Sequence, residues 1–166
     1  KLPRLDEIPP GFQFSLPKIP GVMLSKALTF FRDYCGNGIE LEAMIIFLYN
    51  PVRGEYVIDC PYQEVSRESV NYKRSLYEEQ GFIEVLQLHS HNSMDAYFSK
   101  TDNNDEKRFL IYGVVGKLNQ ELPELKIRAG VNGNFYDLPA EYIFEDASLS
   151  RISDYPTYWH ERLKTN

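Results

Sequence analysis

Apolar positions along the chain fall into two periods. From Val22 they recur at helical spacing, with Leu24, Ala27, Leu28, Phe31 and Cys35 on one stripe. That predicts an amphipathic helix, and "GNG" at 36–38 reads as its stop. Beyond it the runs become strand-like. "IELEAMIIFLYN" (39–50) predicts a strand, and "GEYVIDC" (54–60) its partner after a turn at "NPVRG". "GFIEVLQLHSH" (81–91) predicts a third strand. "FLIYGVVGKL", "ELKIRAGVNG" and "NFYDLP" predict three more, the last two joined by a hairpin at "NGN". Residues 62–80 are polar and turn helical towards their end. "TDNNDEKRF" (101–109) predicts a short helix beginning near Thr101–Asp102, with acidic residues in its first turn where the helix dipole favours them.

The ends differ from the middle. "KLPRLDEIPPGFQFSLPKIPG" carries five prolines and reads as an extended arm over 1–20. Leu5, Ile8, Phe12, Phe14 and Leu16 suit it to lie against a surface, its own or a partner's. Residues 21–145 then form one domain, and 146–166 a tail with no clear period. A helix, a mixed sheet, a short helix and more sheet make the class α+β. At 166 residues the chain is long enough for one domain with a real core, and its 12 Tyr and 10 Phe exclude disorder as the main state.

Charge and cysteine content narrow the function classes. The net charge of −6 speaks against nonspecific nucleic-acid binding. No apolar stretch approaches the ~20 residues of a membrane span, and no signal-peptide pattern opens the chain. It begins at Lys1 without a methionine, as a processed chain or a fragment would, so the missing signal says little about location. Cys35 and Cys60 form no CxxC pair and read as semi-buried free thiols. They suit a reducing compartment, and the expected location is cytoplasmic.

Two of the chain's three histidines sit in "HSHNSMDAYFSKTD" (89–102), where the third strand runs out. Side chains at i and i+2 of a strand point to one face, so His89 and His91 emerge together. Two imidazoles presented this way suit one metal ion, and Asp102 can return across the loop at 92–98 as a third ligand. Two nitrogens and a carboxylate oxygen suit Zn²⁺, and three protein ligands leave a fourth position open, the layout of a catalytic site. Zinc lowers the pKa of its water to roughly 7. Hydrolysis further needs a general base, a carboxylate from elsewhere in the sheet, and a donor where negative charge develops. Ser99, three residues before the aspartate, is placed to be that donor.

H-S-H, seven residues, then S-x-x-D resembles the signature of the JAMM (MPN-plus) metalloprotease family, whose pattern begins with an upstream glutamate ahead of a buried strand. "EAMIIFLY" from Glu42 fits that place. The resemblance spans roughly residues 22–140. It implies a single JAMM/MPN-type domain, a curled mixed sheet flanked by helices and related in shape to the cytidine deaminases. It also implies one zinc per chain on His89, His91 and Asp102, with Glu42 as general base and Ser99 on the oxyanion side. Glu40, two residues earlier on the same strand face, is the second choice for the base. The expected activity is hydrolysis of an amide or isopeptide bond at or near the C-terminus of a ubiquitin-like protein. The segment looks closest to prokaryotic or phage-type members such as the PRTRC cassette proteins, some of which are associated with ubiquitin-activating-like enzymes. Two departures concern subfamily rather than metal: Asn92 stands where most members have proline, and Met44 and Ile45 where small residues are common.

Other readings attach to the same residues. A catalytically silent scaffold that binds a ubiquitin-like or other protein partner is the main rival, and inactive relatives typically lack ligands that are all present here. Zinc-dependent deamination lacks its H-x-E…P-C-x-x-C pattern. Asp95, Asp105 and Glu106 read as solvated, and His160, beside Trp159, as a surface or partly packed side chain. Tyr97 and Phe98 read as core or as the wall of a peptide groove. Gly113 and Gly116 do not make a phosphate loop.

Overall fold

The computed structural model describes residues 13–106, 108 and 110–165, with Asp105 described by its backbone only. Leu5, Ile8 and Phe12 of the arm and the Asp105 side chain therefore lie outside the described residues. The architecture is α+β and mostly sheet, in agreement with the expected class. In chain order come α1 (Gly21–Arg32), β1 (Cys35–Gly36), β2 (Ile39–Glu40), β3 (Met44–Asn50), β4 (Glu55–Asp59), β5 (Gln63–Val65) and β6 (Val70–Tyr72). A 3-10 turn (Leu76–Gln80) leads to β7 (Ile83–Ser90), α2 (Lys100–Asp105), β8 (Leu110–Gly116), β9 (Glu124–Val131) and β10 (Asn134–Leu138). Then follow α3 (Ala140–Ile143), a second 3-10 turn (Thr157–Arg162) and β11 (Leu163–Thr165).

The main sheet has six strands in the order β10-β9-β8-β7-β3-β4. All neighbours are antiparallel except β7 and β8, so the sheet is mixed. That parallel pair needs a crossover, and the crossover runs through the loop at 92–98 and α2. A smaller sheet, β11-β5-β6, stands beside it, with β11 parallel to β5.

Alternation along the strands gives the main sheet two faces. On one, Ile45, Phe47, Leu86, Leu88, Ile111, Val115, Ile127 and Ala129 pack with Leu24, Ala27, Leu28, Phe30 and Phe31 of α1. Each large side chain fully buried there contributes about 1.5–3 kcal/mol of transfer free energy. On the other face a smaller apolar cluster of Met44, Ile46, Leu48 and Phe82 leaves room for polar groups. Cross-strand register sets Arg128 beside Tyr112, Tyr112 beside Gln87, and Met44 beside His89.

Three sequence expectations are corrected here. The helix ends at Arg32, and Cys35 and "GNG" form a two-stranded hairpin, its turn made by Asn37 (φ 52°) and Gly38 (φ 81°). Residues 39–50 are not one strand: Ile39–Glu40 pairs with β1, and a kinked link over 41–43 precedes β3. The polar stretch 62–80 holds the β5–β6 hairpin before its helical turn. The tail also packs closely. Trp159 is fully buried with Phe30 at 5.4 Å, and Ile19, at the foot of the arm, is buried on a parallel bridge to Phe144. Residues 14–19 thus dock on their own domain. No helix of the described residues is long and apolar enough to cross a membrane. Both cysteines are free thiols, and burial pushes Cys60 well above the usual thiol range.

Candidate metal centre

The site forms where β7 ends against β3 and β8. The Ser90 N–H donates to the Ala43 carbonyl (3.0 Å), and Ser90 Oγ accepts from the Ala43 N–H (3.0 Å). The His91 N–H donates to the Val115 carbonyl of the parallel neighbour (2.7 Å). Both sides of the strand end are therefore pinned, and the two histidines leave on one face as the i, i+2 rule requires. The link before β3 is held by the Glu42 N–H donating to the Ser66 carbonyl (2.8 Å), and the Glu42 side chain reaches the His91 imidazole.

Three donor atoms meet there. His89 Nε2 and His91 Nε2 are 3.2 Å apart, and Asp102 Oδ2 lies 3.4 Å from the first and 3.5 Å from the second. In a regular tetrahedron the edge is about 1.63 times the centre-to-vertex distance, so Zn–N and Zn–O bonds of about 2.0–2.1 Å require edges of about 3.3–3.4 Å. The observed triangle has that size, and its donor chemistry suits a borderline ion such as zinc. Glu42 Oε1 stands 3.7 Å from His91 Nε2, beside the triangle. Glu42 with both histidines, and His89 with Asp102 and Glu106, each form a close group able to hold a metal ion.

The two carboxylates at the imidazoles respond oppositely. Burial pushes Glu42 up to about 7; His91 opposes this and Asp102 adds to it. Burial works on Asp102 in the same direction, but hydrogen bonds to His89 and His91 outweigh it and hold Asp102 well below the usual carboxylate range. For His91 burial pulls down, while Asp102 and Glu42 more than offset it, so its pKa is raised.

Asp102 reaches the site through α2. Ser99 is the N-cap: its Oγ accepts from the Asp102 N–H (3.1 Å), and its own N–H donates to Asp102 Oδ2 (2.8 Å), a reciprocal capping box. That is the same oxygen that faces both imidazoles. Because Ser99 Oγ accepts within the cap, its hydroxyl hydrogen stays available to a further acceptor. In the preceding loop Asn92 sits at φ 55°, a value closed to proline, whose ring fixes φ near −65°. Oriented to satisfy both groups, its buried amide donates to the Leu41 carbonyl (3.0 Å) and accepts the Leu41 N–H (3.3 Å). The departure from proline thus has a local cause: this loop turns back through the left-handed region and clasps the residue before Glu42. Gly116 allows the loop to lie on β8, since a Cβ there would collide with the backbone of Met94–Ala96.

Of the carboxylates expected near the site, Glu42 arrives and Glu40 does not. Glu40 lies on β2 rather than on the strand that follows Glu42, and its carboxylate accepts from Ser93 and from Arg67 (3.1 Å). Asp95 is exposed as expected. Glu106 is not solvated: it is 9% exposed and paired with Arg128 (3.0 Å). Tyr97 sets its ring edge-on to His91 at 4.9 Å and is half open to solvent, whereas Phe98 covers Arg128. His160 is far away, bonded to Tyr34 (2.6 Å) and Tyr155 (2.8 Å). A cavity of 430 Å³ opens on Glu42, His89, Asp102 and Glu106, between β6 on one side and Tyr112 on the other. A larger one, 650 Å³, takes in Glu40 and Ser93 at the β1–β2 hairpin and misses the imidazoles. The smaller is the one in contact with the chemistry.

Sequence reasoning missed the supports Ser90, Gln63, Asn103 and Arg128, and it noted Asn92 only as a departure from proline. Gln63 bonds both backbone groups of Met44 (2.8 and 3.0 Å), fixing β5 to the start of β3. The sequence signal for Arg128 points the wrong way, since in "LKIRAG" the alternation sets it on the polar face with Lys126. No protein-family model matches the chain, and no curated protein matches it.

Proposed function

We propose that this protein is a zinc-dependent peptidase or isopeptidase of the JAMM (MPN-plus) type. In this reading it is a prokaryotic or phage-type member with that family's curled-sheet domain. Its substrate is an amide bond at or near the C-terminus of a ubiquitin-like protein, or a peptide, supplied in a system that includes a ubiquitin-activating-like enzyme. The observation that carries the proposal is the His89–His91–Asp102 triangle of tetrahedral edge length, with Glu42 Oε1 3.7 Å from His91 Nε2.

His89, His91 and Asp102 would hold the ion, their Nε2, Nε2 and Oδ2 atoms already facing one another. When bound, Zn²⁺ supplies Lewis acidity and an acidified water. Glu42, poised near neutrality in the metal-free site, accepts the proton from the attacking water at Oε1. It then delivers that proton to the leaving nitrogen. The Ser99 hydroxyl, accepting from Asp102 N–H, turns its hydrogen towards the oxygen on which charge develops. Tyr97 and the edge of β6 border the approach and favour an extended chain over a compact ligand.

The test is elemental analysis of untagged protein followed by turnover of ubiquitin-like fusions by the zinc-loaded form. One zinc per chain with cleavage supports the proposal. Zinc with binding of a ubiquitin-like partner but no cleavage favours the silent scaffold. Failure to take up zinc removes both the activity and its mechanism.

A further inference from the structure

We propose that Arg128 is a positioning residue of the metal centre, the side chain that anchors the Asp102-bearing helix α2 to the sheet. The inference rests on the reading of His89, His91 and Asp102 as metal ligands.

The reason lies in α2 itself. Its sequence, KTDNND, contains no apolar residue, and none of its described side chains is buried. A six-residue helix is too short to be stable alone, and this one has no hydrophobic face to hold it. Its place must come from polar ties. At its N-terminal end the tie is the Ser99 capping box, in which Asp102 is itself a partner. That bond fixes Asp102 relative to Ser99 but does not fix the helix relative to β7.

Arg128 supplies the second tie. It projects from β9 on the face that carries His89, and each of its three guanidinium nitrogens donates to α2 or its C-cap residue. Nη1 donates to Asn103 Oδ1 (2.8 Å), while Nε and Nη2 donate to Glu106 Oε1 (3.2 and 3.0 Å). Phe98 and Phe135 each set a ring 3.7 Å from its central carbon. Asn103 follows Asp102 directly, and Glu106 closes the helix, its N–H donating to the Asp102 carbonyl (2.8 Å). The fork therefore grips α2 at Asn103 and Glu106, on the C-terminal side of the residue that matters. Phe98 adds the residue before the N-cap to the same clamp. A planar, always-charged group with several donors and two stackable faces is needed here, and lysine offers none of the planarity.

A second consequence concerns Glu106, whose carboxylate has an oxygen within 4.8 Å of ligand atoms of His89 and Asp102. Held on Arg128 through Oε1, it is charge-compensated and kept as a supporting group rather than a competing donor.

The experiment is a zinc titration against a chromophoric chelator, with visible absorption of the Co²⁺-substituted protein as a second readout. Wild type, Arg128→Met and Arg128→Lys are compared with Phe144→Leu, a change in the core on the opposite face of the sheet. Loss of an outer-shell partner typically weakens metal binding 10–100-fold. Both Arg128 variants are expected to show that loss and a weakened Co²⁺ band, while Phe144→Leu keeps wild-type affinity. Tight wild-type binding with unchanged affinity and spectrum in Arg128→Met overturns the inference while leaving the metal site intact. Zinc binding by neither protein overturns the metal reading itself, and this inference with it. Equal weakening in Phe144→Leu shows a general stability effect and also overturns it. If Arg128→Met does not fold, Asn103→Ala takes its place, because it removes one tie from an exposed side chain. A loss of about fivefold, one hydrogen bond's worth, is then expected. No loss sinks the proposal.

Discussion

Glu42 and Asp102 flank the same two imidazoles, and their surroundings drive them apart. Asp102 receives hydrogen bonds from both histidines and from the Ser99 backbone and stays ionised. Glu42 has burial without such bonds and is raised from 4.5 to about 7. In the proposed mechanism this contrast suits Asp102 to the ligand role and Glu42 to the base, because a carboxylate ligand stays anionic and a base must exchange its proton near neutrality. It also makes a stability prediction for chelator-treated protein. A carboxyl whose folded pKa is raised stabilises below its unfolded value, and that contribution is lost as pH climbs through 7. His91, raised from 6.5, acts in the same direction. Asp102, depressed from 3.8, contributes above that value and loses its contribution only in stronger acid. Metal-free protein should therefore be more stable at pH 5 than at pH 8, by on the order of 2–3 kcal/mol in urea midpoints. Zinc should reverse the slope, since its binding releases protons. Glu42→Gln should flatten the metal-free slope. The same variant should retain one zinc and lose turnover by about 10²–10⁴-fold, whereas Asp102→Ala should lose both.

At the scale of elements, the site depends on two irregular segments between regular strands. The loop after His91 needs a left-handed residue at 92 and a missing side chain at 116. Asn92→Pro, which would restore the commoner residue of the resembled family, should be damaging here, costing about 3 kcal/mol or more and abolishing zinc uptake. Asn92→Gly keeps the backbone geometry and should bind zinc with only the loss of the Leu41 contacts. Thermal melts with and without zinc separate the two. Ser99→Ala removes one bond of the capping box and should cost about 1 kcal/mol while also slowing turnover. Ser99→Thr should preserve the cap. The crossover carrying both segments was legible as strand, loop and short helix. The kink at 41–43 was not, because "LEA" fits a continuous strand by composition, and only the hydrogen bonds to Ser66 and Ser90 break it.

Over the whole molecule, the tail belongs to the same packed core as the sheet. Trp159 sits against Phe30 and Tyr155, and its carbonyl accepts from the Cys60 thiol. Arg162 donates to the Cys60 carbonyl (3.1 Å), and β11 adds a strand to the small sheet whose β6 walls the cavity at Glu42 and His89. Trp159→Ala should therefore destabilise the protein by about 3–5 kcal/mol in chemical denaturation. A tail packed only loosely predicts a change under 1 kcal/mol.

Local order sufficed for α1, for six of the strand segments and for the pairing of His89 with His91, because periodicity and i, i+2 geometry act over a few residues. The motif H-S-H…S-x-x-D also named its candidate ligands, since each residue's chemistry is its own. Which carboxylate joins the imidazoles, why Asn92 replaces proline, and where Glu106 and Arg128 lie were decided by the fold. Those depend on contacts across tens of residues, where burial and hydrogen bonding override the polar face that alternation alone assigns.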